Sequence, residues 1–462
     1  MASLLYSNSH IVPGKLKVTE LFFAVPLDQT NPSSGTIRIF ARSVTRHEVP
    51  TTSPTEKENR KWDQRPWLLW LQGGPGSGCA APRATPFINL ILDRGYQILY
   101  LDQRGTGLSN PVSVETLELR GDVQQQADYL KLFRADSIVA DCEAIRKTLV
   151  KDYPTDVRKW TIFGQSFGGF CAFTYLSKYP ESLKEVFTSG GVPPIGRSPD
   201  DVYRATFRQV CKRNKAYYQK FPEDIRAIHD VMDHIKSRGG LLLPSGGTLT
   251  ARRFLTLGAG FGTHGSVDAV HEQIFRMHAD LEQFGFITRP TLSAFESVGP
   301  SFDDKVIYAI LREAIYCQSE ASKWAAERVG RSLREFDWIS GSPASFNSQD
   351  QPLYFSGGMV YPFMFDTYPE LKKLKEVAQI IAHYRDWPNL YDVQQLQRNE
   401  VPVYAATFVD DAYIDYGLVQ ETLEKVGNCK QFIANTMYHD AIRSKTADVM
   451  KELFALRDDV LD

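Results

Sequence analysis

Three kinds of hydrophobic pattern succeed one another along the chain. From Lys15 to Val25 and from Thr36 to Val44 β-branched and aromatic residues predominate, and the segment 28–35 between them is dense in turn formers; this predicts strand, loop, strand. After a polar stretch over 45–64 the alternation disappears. Pro66–Leu71, Tyr96–Leu101, Trp160–Phe163 and Glu185–Thr188 are short apolar runs, the pattern of strands buried on both faces. Between them Ile138, Val139, Cys142, Ile145 and Leu149 fall at helical spacing, which predicts an amphipathic helix with Asp136 placed to cap its start. Segment 167–179 suits a second helix, ending before Pro180. Strands alternating with helices predict an α/β fold with a mostly parallel central sheet and helices on both faces.

From about Gly196 to about Gln397 helical periodicity takes over, notably over 201–238, 266–285, 304–329 and 369–383. The strand pattern returns at Val401–Phe408, followed by a helix, a short strand Gln431–Ala434 and a final helix after His439. The 462 residues therefore divide into a core built from both ends of the chain, 1–195 and 398–462, and an inserted helical cap, 196–397. Length alone suggests about three domains.

Composition narrows the function. Hydrophobic residues make up 43% and charged residues 23%, and 53 Lys and Arg against 55 Asp and Glu leave a net charge of −2, so there is no basic field for nucleic acid. The run Lys212-Arg213-Asn214-Lys215 reads as a solvated helix face. Cys79, Cys142, Cys171, Cys211, Cys317 and Cys429 are widely spread, without C-x-x-C or zinc-ligand spacing, and are expected as buried free thiols. No 18-residue apolar run occurs, and the first ten residues lack a basic and apolar leader pattern; a cytoplasmic protein with no membrane contact is the expectation.

The strongest chemical signal is Gly164-Gln165-Ser166-Phe167-Gly168-Gly169, a G-x-S-x-G motif between a predicted strand and a predicted helix. In such an elbow a strained turn lifts the serine out of the backbone, and small neighbours avoid clashes. The serine needs a base. His439 alone lies beyond the helical block near the C-terminus, whereas His229, His234, His271 and His278 fall on helices of that block and read as ordinary histidines; His271 and His278, two turns apart, are too distant for adjacent metal ligands. A carboxylate past a strand end should orient the base, and Asp410 and Asp411 both follow the strand from Val401. Asp411 is favoured because it lies further past the strand end. Oxyanion donors are expected from the backbone N–H of Phe167 and from the loop Gln72-Gly73-Gly74-Pro75-Gly76, where Pro75 has no N–H and Gly74, or else Gly73, supplies it. The order Ser, Asp, His is that of α/β-hydrolase sites. Epoxide hydrolase and dehalogenase chemistry is disfavoured, since those enzymes carry aspartate at the elbow.

On three motifs the sequence resembles the proline iminopeptidase (prolyl aminopeptidase) family of α/β-hydrolases. Gln72–Gly76 is similar to the family's H-G-G-P-G loop with Gln for His, Asp102-Gln103-Arg104-Gly105 with Gly107 and Ser109 to D-Q-R-G-x-G-x-S, and Gly164–Gly169 to G-x-S-W-G-G. The resemblance implies a serine aminopeptidase that removes an N-terminal residue, typically proline, from short peptides with a free N-terminus, without metal or organic cofactor. It also implies that cap carboxylates bind the substrate amine. Glu313, three residues before Tyr316, resembles one such glutamate, and a solvent-facing helical Glu is an equal reading. Larger relatives tend to carry Gly-Glu before Met-Val-Tyr-Pro, where this chain has Gly358, which puts strict proline selectivity in question. Phe355, Tyr361 and Phe363 are candidates to line a pyrrolidine pocket, or equally to be cap core. A capped esterase or amidase with no amine requirement is the alternative.

Overall fold

The computed structural model describes residues 2–48, 64–299, 301–342 and 351–459. Among these, nine strands form one sheet: β1 (Ser3–Val12), β2 (Leu16–Pro26), β3 (Thr36–Arg46), β4 (Trp67–Leu71), β5 (Gln97–Leu101), β6 (Trp160–Gln165), β7 (Leu183–Ser189), β8 (Val403–Phe408) and β9 (Cys429–Ala434), in the order β1-β2-β3-β5-β4-β6-β7-β8-β9. The first three pair antiparallel, β3 joins β5 antiparallel, and every pair from β5 to β9 is parallel. The sequence pattern misses β1. It is exposed along nearly its whole length, so nothing imposes an alternation of apolar and polar residues.

Parallel strands are covered on both faces because their side chains alternate. On β4, Leu69 and Leu71 enter one core with Ile138, Cys142 and Ile145 of helix Ala135–Leu149 and Phe170 and Phe173 of helix Phe167–Lys178. Leu68 and Trp70 enter a second core with Ile88 and Ile91 of helix Pro86–Asp93 and Val449 and Leu453 of helix Thr446–Asp458. There the Trp70 and Phe163 rings stack with centroids 5.2 Å apart. Asp136 does not cap: Ala135–Leu149 begins one residue earlier, after Arg134, and Asp136 sits in its first turn.

Asp102-Gln103-Arg104-Gly105 ties the β5 end to its surroundings. The buried Arg104 guanidinium binds Asp141 through Nε (2.8 Å) and Nη2 (2.6 Å) and donates from Nη1 to the carbonyls of Leu27 and Leu132, each at 2.8 Å. Arginine suits this because its planar fork satisfies several acceptors at once.

Between β7 and β8 the regular elements of the described residues are helices apart from a two-stranded ribbon, Leu241–Leu242 with Thr248–Leu249. The segment 201–238 divides into Pro199–Lys220 and Asp224–Ser237, Pro222 in the break having no N–H to continue a helix. The segment 304–329 breaks into Val306–Leu311, a 3-10 turn Ala314–Tyr316 and Ala325–Arg331. The basic run is not a uniformly solvated face. Lys212 and Lys215 are exposed, but Asn214 is buried, binding the Phe355 backbone through both ends of its amide at 2.8 and 2.9 Å. Arg134 fastens the block to the core, donating to Ala314, Cys317 and Pro388 carbonyls at 3.3, 2.9 and 2.9 Å.

Candidate active site

β6 ends at Gln165, and Ser166 forms the turn into helix Phe167–Lys178 with φ 55° and ψ −125°. A positive φ on a non-glycine residue costs about 1–3 kcal/mol and persists where its surroundings impose it. Here the Ser166 N–H donates to Ser189 O at 3.1 Å and the Gly169 N–H donates to Ser166 O at 2.7 Å. The turn also demands a small residue at 168, where a Cβ would stand 1.9 Å from Leu71 O.

Ser166 Oγ lies 2.8 Å from His439 Nε2, and His439 Nδ1 lies 2.7 Å from Asp411 Oδ2. Asp411 is buried past the end of β8, and its Oδ1 accepts the N–H groups of Tyr413 and Ile414 at 2.8 and 3.0 Å. Asp410 is half-buried and makes no bond to His439 among the described contacts. The carboxylate that faces the imidazole is thus also the one anchored by its own loop, which fixes Nδ1 as the protonated nitrogen and leaves Nε2 to accept from the serine.

The loop after β4 closes on this group. A Cβ on Gly73 would stand 2.9 Å from Ser166 Cβ, so only glycine passes so near the serine. Gln72 is held by Trp70 Nε1 donating to its Oε1 (3.0 Å) and by Gln103 Nε2 donating to its carbonyl (2.9 Å). Asp102 accepts the N–H groups of Cys79 and Leu108 at 2.7 and 2.9 Å. Gly74 and Phe167 both face the cavity above Ser166, and their N–H groups are taken by no other group among the described hydrogen bonds.

That cavity measures about 400 Å³ and lies between the core loops and the helical block. Ser166, His439 and Phe167 meet Phe170, Phe302, Tyr308, Ile315, Gly358 and Tyr413 there, together with Lys305, Arg312 and Arg443. Among the described lining residues there is no Asp or Glu. Glu313 points away from it: its buried carboxylate accepts the N–H groups of Ala325 and Ala326 at 3.0 and 2.9 Å, at the start of helix Ala325–Arg331. Burial pushes the Glu313 carboxyl above its usual range despite these bonds. Phe355 and Tyr361 are also outside the lining. Phe355 packs edge-on against Tyr217 and Phe261, and Tyr361 stacks on Phe363 with its hydroxyl 2.8 Å from Ser356 Oγ. These three expectations for substrate contact are therefore corrected: the Glu313 carboxylate holds the first amides of helix Ala325–Arg331, and Phe355 and Tyr361 belong to aromatic clusters inside the block.

Sequence reasoning missed the residues that hold the base from the helical block. The His439 N–H donates to Gly262 O at 3.1 Å, and the Tyr413 ring lies edge-on to the imidazole while its hydroxyl donates to Ala259 O at 2.6 Å. Arg213 reaches Phe261 O at 2.8 Å and the Tyr438 hydroxyl at 3.0 Å, and His264 Nδ1 lies 2.6 Å from Asp440. With partners 175 or more positions away in sequence for Asp440 and Tyr438, no local spacing signals them.

One described group, Glu223, Asp224 and His271, offers ligand atoms within 4.8 Å of one another. It lies outside the cavity lining and is already occupied: Asp224 accepts from the Tyr217 hydroxyl and faces His271 Nδ1 at 2.9 Å, and the His271 ring stacks on Phe221.

A mostly parallel sheet with a strained serine elbow, an ordered Ser–His–Asp relay and two free amides beside the serine defines a serine hydrolase of the α/β-hydrolase class. In agreement, a model of the α/β hydrolase fold family matches residues 66–284. The chain is 43% identical to "Proline iminopeptidase aneH" of Aspergillus aculeatus over 100% of this chain and 98% of that protein. It is 39% identical to a proline iminopeptidase of Aeromonas sobria over 98% and 99%. A solved proline iminopeptidase structure from Mycobacterium smegmatis is similar at 11% identity over 94% of this chain and 97% of that one, with a TM-score of 0.42. The chain belongs to the proline iminopeptidase family.

Proposed function

We propose that the protein is a serine aminopeptidase that releases an N-terminal residue, preferably proline, from short peptides with a free N-terminus. The observation that carries this reading is a Ser166–His439–Asp411 relay opening into a cavity roofed by the helical block, in a chain similar over its full length to two proline iminopeptidases. Ser166 Oγ attacks the scissile carbonyl while His439 Nε2 takes its proton, and Asp411 stabilises the imidazolium. The N–H groups of Gly74 and Phe167 receive the oxyanion, each worth about 3 kcal/mol in the transition state. Collapse of the tetrahedral intermediate passes the proton from His439 to the leaving amine and leaves the prolyl group esterified to Ser166. Water, deprotonated by His439, then frees the acid.

The block spanning 196–397 acts as a cap that sets substrate length, since a cavity of about 400 Å³ holds a ligand of a few residues and excludes a folded chain. The pyrrolidine nitrogen is received by the carbonyl and ring faces of the lining, chiefly around Gly358, Tyr308 and Tyr413. A panel of aminoacyl 2-naphthylamides tests the reading: prolyl turnover should exceed alanyl and leucyl turnover, and equal rates for all three would refute the proline preference. One observation favours a second reading. The absence of Asp and Glu from the described lining suits an esterase or amidase with no amine requirement, which would turn over p-nitrophenyl acyl esters and no aminoacyl amide.

A further inference from the structure

Arg312 ends the helix Val306–Leu311 and lines the same cavity as Ser166 and His439. Its side chain is an anomaly there. The residue is only 6% exposed, yet among the described residues no carboxylate pairs with it, and its Nε has no hydrogen-bond partner. Its neighbours are the phenols of Tyr203, Tyr308 and Tyr316, with the Tyr308 and Tyr316 ring centres 5.6 and 5.5 Å from the guanidinium carbon. Glu313, next in the chain, turns its carboxylate to the Ala325 and Ala326 amides instead. The Tyr203 hydroxyl beside Arg312 is itself without a partner.

A guanidinium taken out of water without a counter-charge is costly, and the protein cannot escape by releasing the proton. Burial works against the charge, but the surrounding phenols hold the Arg312 pKa above the ordinary arginine value. Two further cations line the cavity: Lys305, exposed and without an ion pair among the described residues, and Arg443, 3.3 Å from Gln165 Oε1. The lining thus carries three cationic side chains and no acidic one. A planar five-donor group exposed to a cavity matches a carboxylate by two parallel hydrogen bonds.

We propose that Arg312 is the binding site for a carboxylate of the substrate, with Lys305 adding a second positive charge nearer solvent. This rests on the aminopeptidase reading and deepens it: the preferred substrates are very short acids, such as prolyl dipeptides, over their neutral amides. The same carboxylate chemistry has two sources, the leaving amino acid or the acyl group, and two matched pairs separate them. Prolylglycine against prolylglycinamide places the charge on the leaving side; p-nitrophenyl hydrogen succinate against p-nitrophenyl butyrate places it on the acyl side.

In the wild-type enzyme the acid member of one pair should have a kcat/KM higher than its neutral partner by about tenfold or more. Arg312→Gln should bring that ratio close to one by raising KM for the acid, and Arg312→Lys, which keeps the charge without the fork, should restore part of it. A neutral member equal to or better than its acid in both pairs overturns the proposal on wild-type enzyme alone, whatever the stability of the variants. So does a preference that survives Arg312→Gln, a loss confined to kcat and shared equally by acid and neutral substrates, or turnover of neither pair. Turnover of the esters but of neither prolyl compound refutes the aminopeptidase reading separately, and the ester pair then decides the role of Arg312 by itself.

Discussion

Replacing Asp411 by asparagine should abolish most catalysis while leaving the fold intact, and the geometry says why. Asp411 Oδ1 receives two backbone N–H groups, from Tyr413 and Ile414 at 2.8 and 3.0 Å, whereas Oδ2 receives one, from His439 at 2.7 Å. Asparagine has a single oxygen. Kept on the backbone side, it preserves both loop bonds and sets its NH₂ against His439 Nδ1. Turned the other way, it leaves two buried N–H groups facing a donor, at about 1–3 kcal/mol each. The backbone side therefore wins by at least about 2 kcal/mol, a factor of roughly 30. His439 must then present a lone pair at Nδ1 and carry its proton on Nε2, where it donates to Ser166 instead of accepting from it. Loss of the correct tautomer together with loss of the carboxylate charge predicts a fall in kcat of about 10³- to 10⁴-fold. The assay is steady-state hydrolysis of prolyl 2-naphthylamide, with urea unfolding alongside, where the free energy should change by less than about 1 kcal/mol. Asp410→Asn is the control and should stay within about twofold of wild type, its side chain making no described bond to the relay. An Asp411→Asn enzyme retaining more than a tenth of kcat, or a severe loss in Asp410→Asn, would refute the reasoning.

Asp141→Asn should cost about 3–5 kcal/mol in urea unfolding, because it strips the counter-charge from the fully buried Arg104; a loss below about 1 kcal/mol would contradict that assignment. Glu313→Ala should destabilise by about 2 kcal/mol or more through the orphaned Ala325 and Ala326 amides, with KM for prolyl substrates unchanged; a selective rise in KM would return Glu313 to substrate binding. Burial pushes the thiols up, Cys211 to about 11, Cys429 to about 12 and Cys79, Cys142, Cys171 and Cys317 further. Each raised pKa keeps the unreactive thiol form until pH approaches it, so at pH 8 less than about one part in 10³ is thiolate. Iodoacetamide at pH 8 should leave activity intact while a serine-directed fluorophosphonate removes it, and rapid loss to iodoacetamide would contradict the burial argument.

The parts of the architecture that were legible in sequence share a cause. β4 to β8 and helices such as Phe167–Lys178 are buried on all sides and so appear as short apolar runs in the chain, and the elbow and glycine loop are legible because the turn itself demands small residues around the serine, as the contacts of Gly168 with Leu71 and of Gly73 with Ser166 require. β1 left no signal because it buries almost nothing. In the helical block the sequence locates helices but not their breaks, and apolar clusters but not their purpose: Phe355 and Tyr361 look the same as pocket linings or as core until Tyr217, Phe261 and Phe363 are seen packed against them. Arg312 and Glu313 are adjacent in sequence and opposite in fate. Which of two neighbouring charges faces a cavity depends on the path of the backbone at the end of a short helix, and no periodicity extends through the break at 312–316 to decide it. The support of His439 by Gly262, and of its loop by Arg213 and His264, likewise exists only once block and core have met.

The most direct test of the account is a comparison of prolyl 2-naphthylamide with its N-acetyl derivative on the purified enzyme. The scissile bond is the same in both, and only the terminal nitrogen and the space beyond it differ. Cleavage of the free compound with negligible turnover of the acetylated one is the predicted result; equal rates on the two would contradict an aminopeptidase.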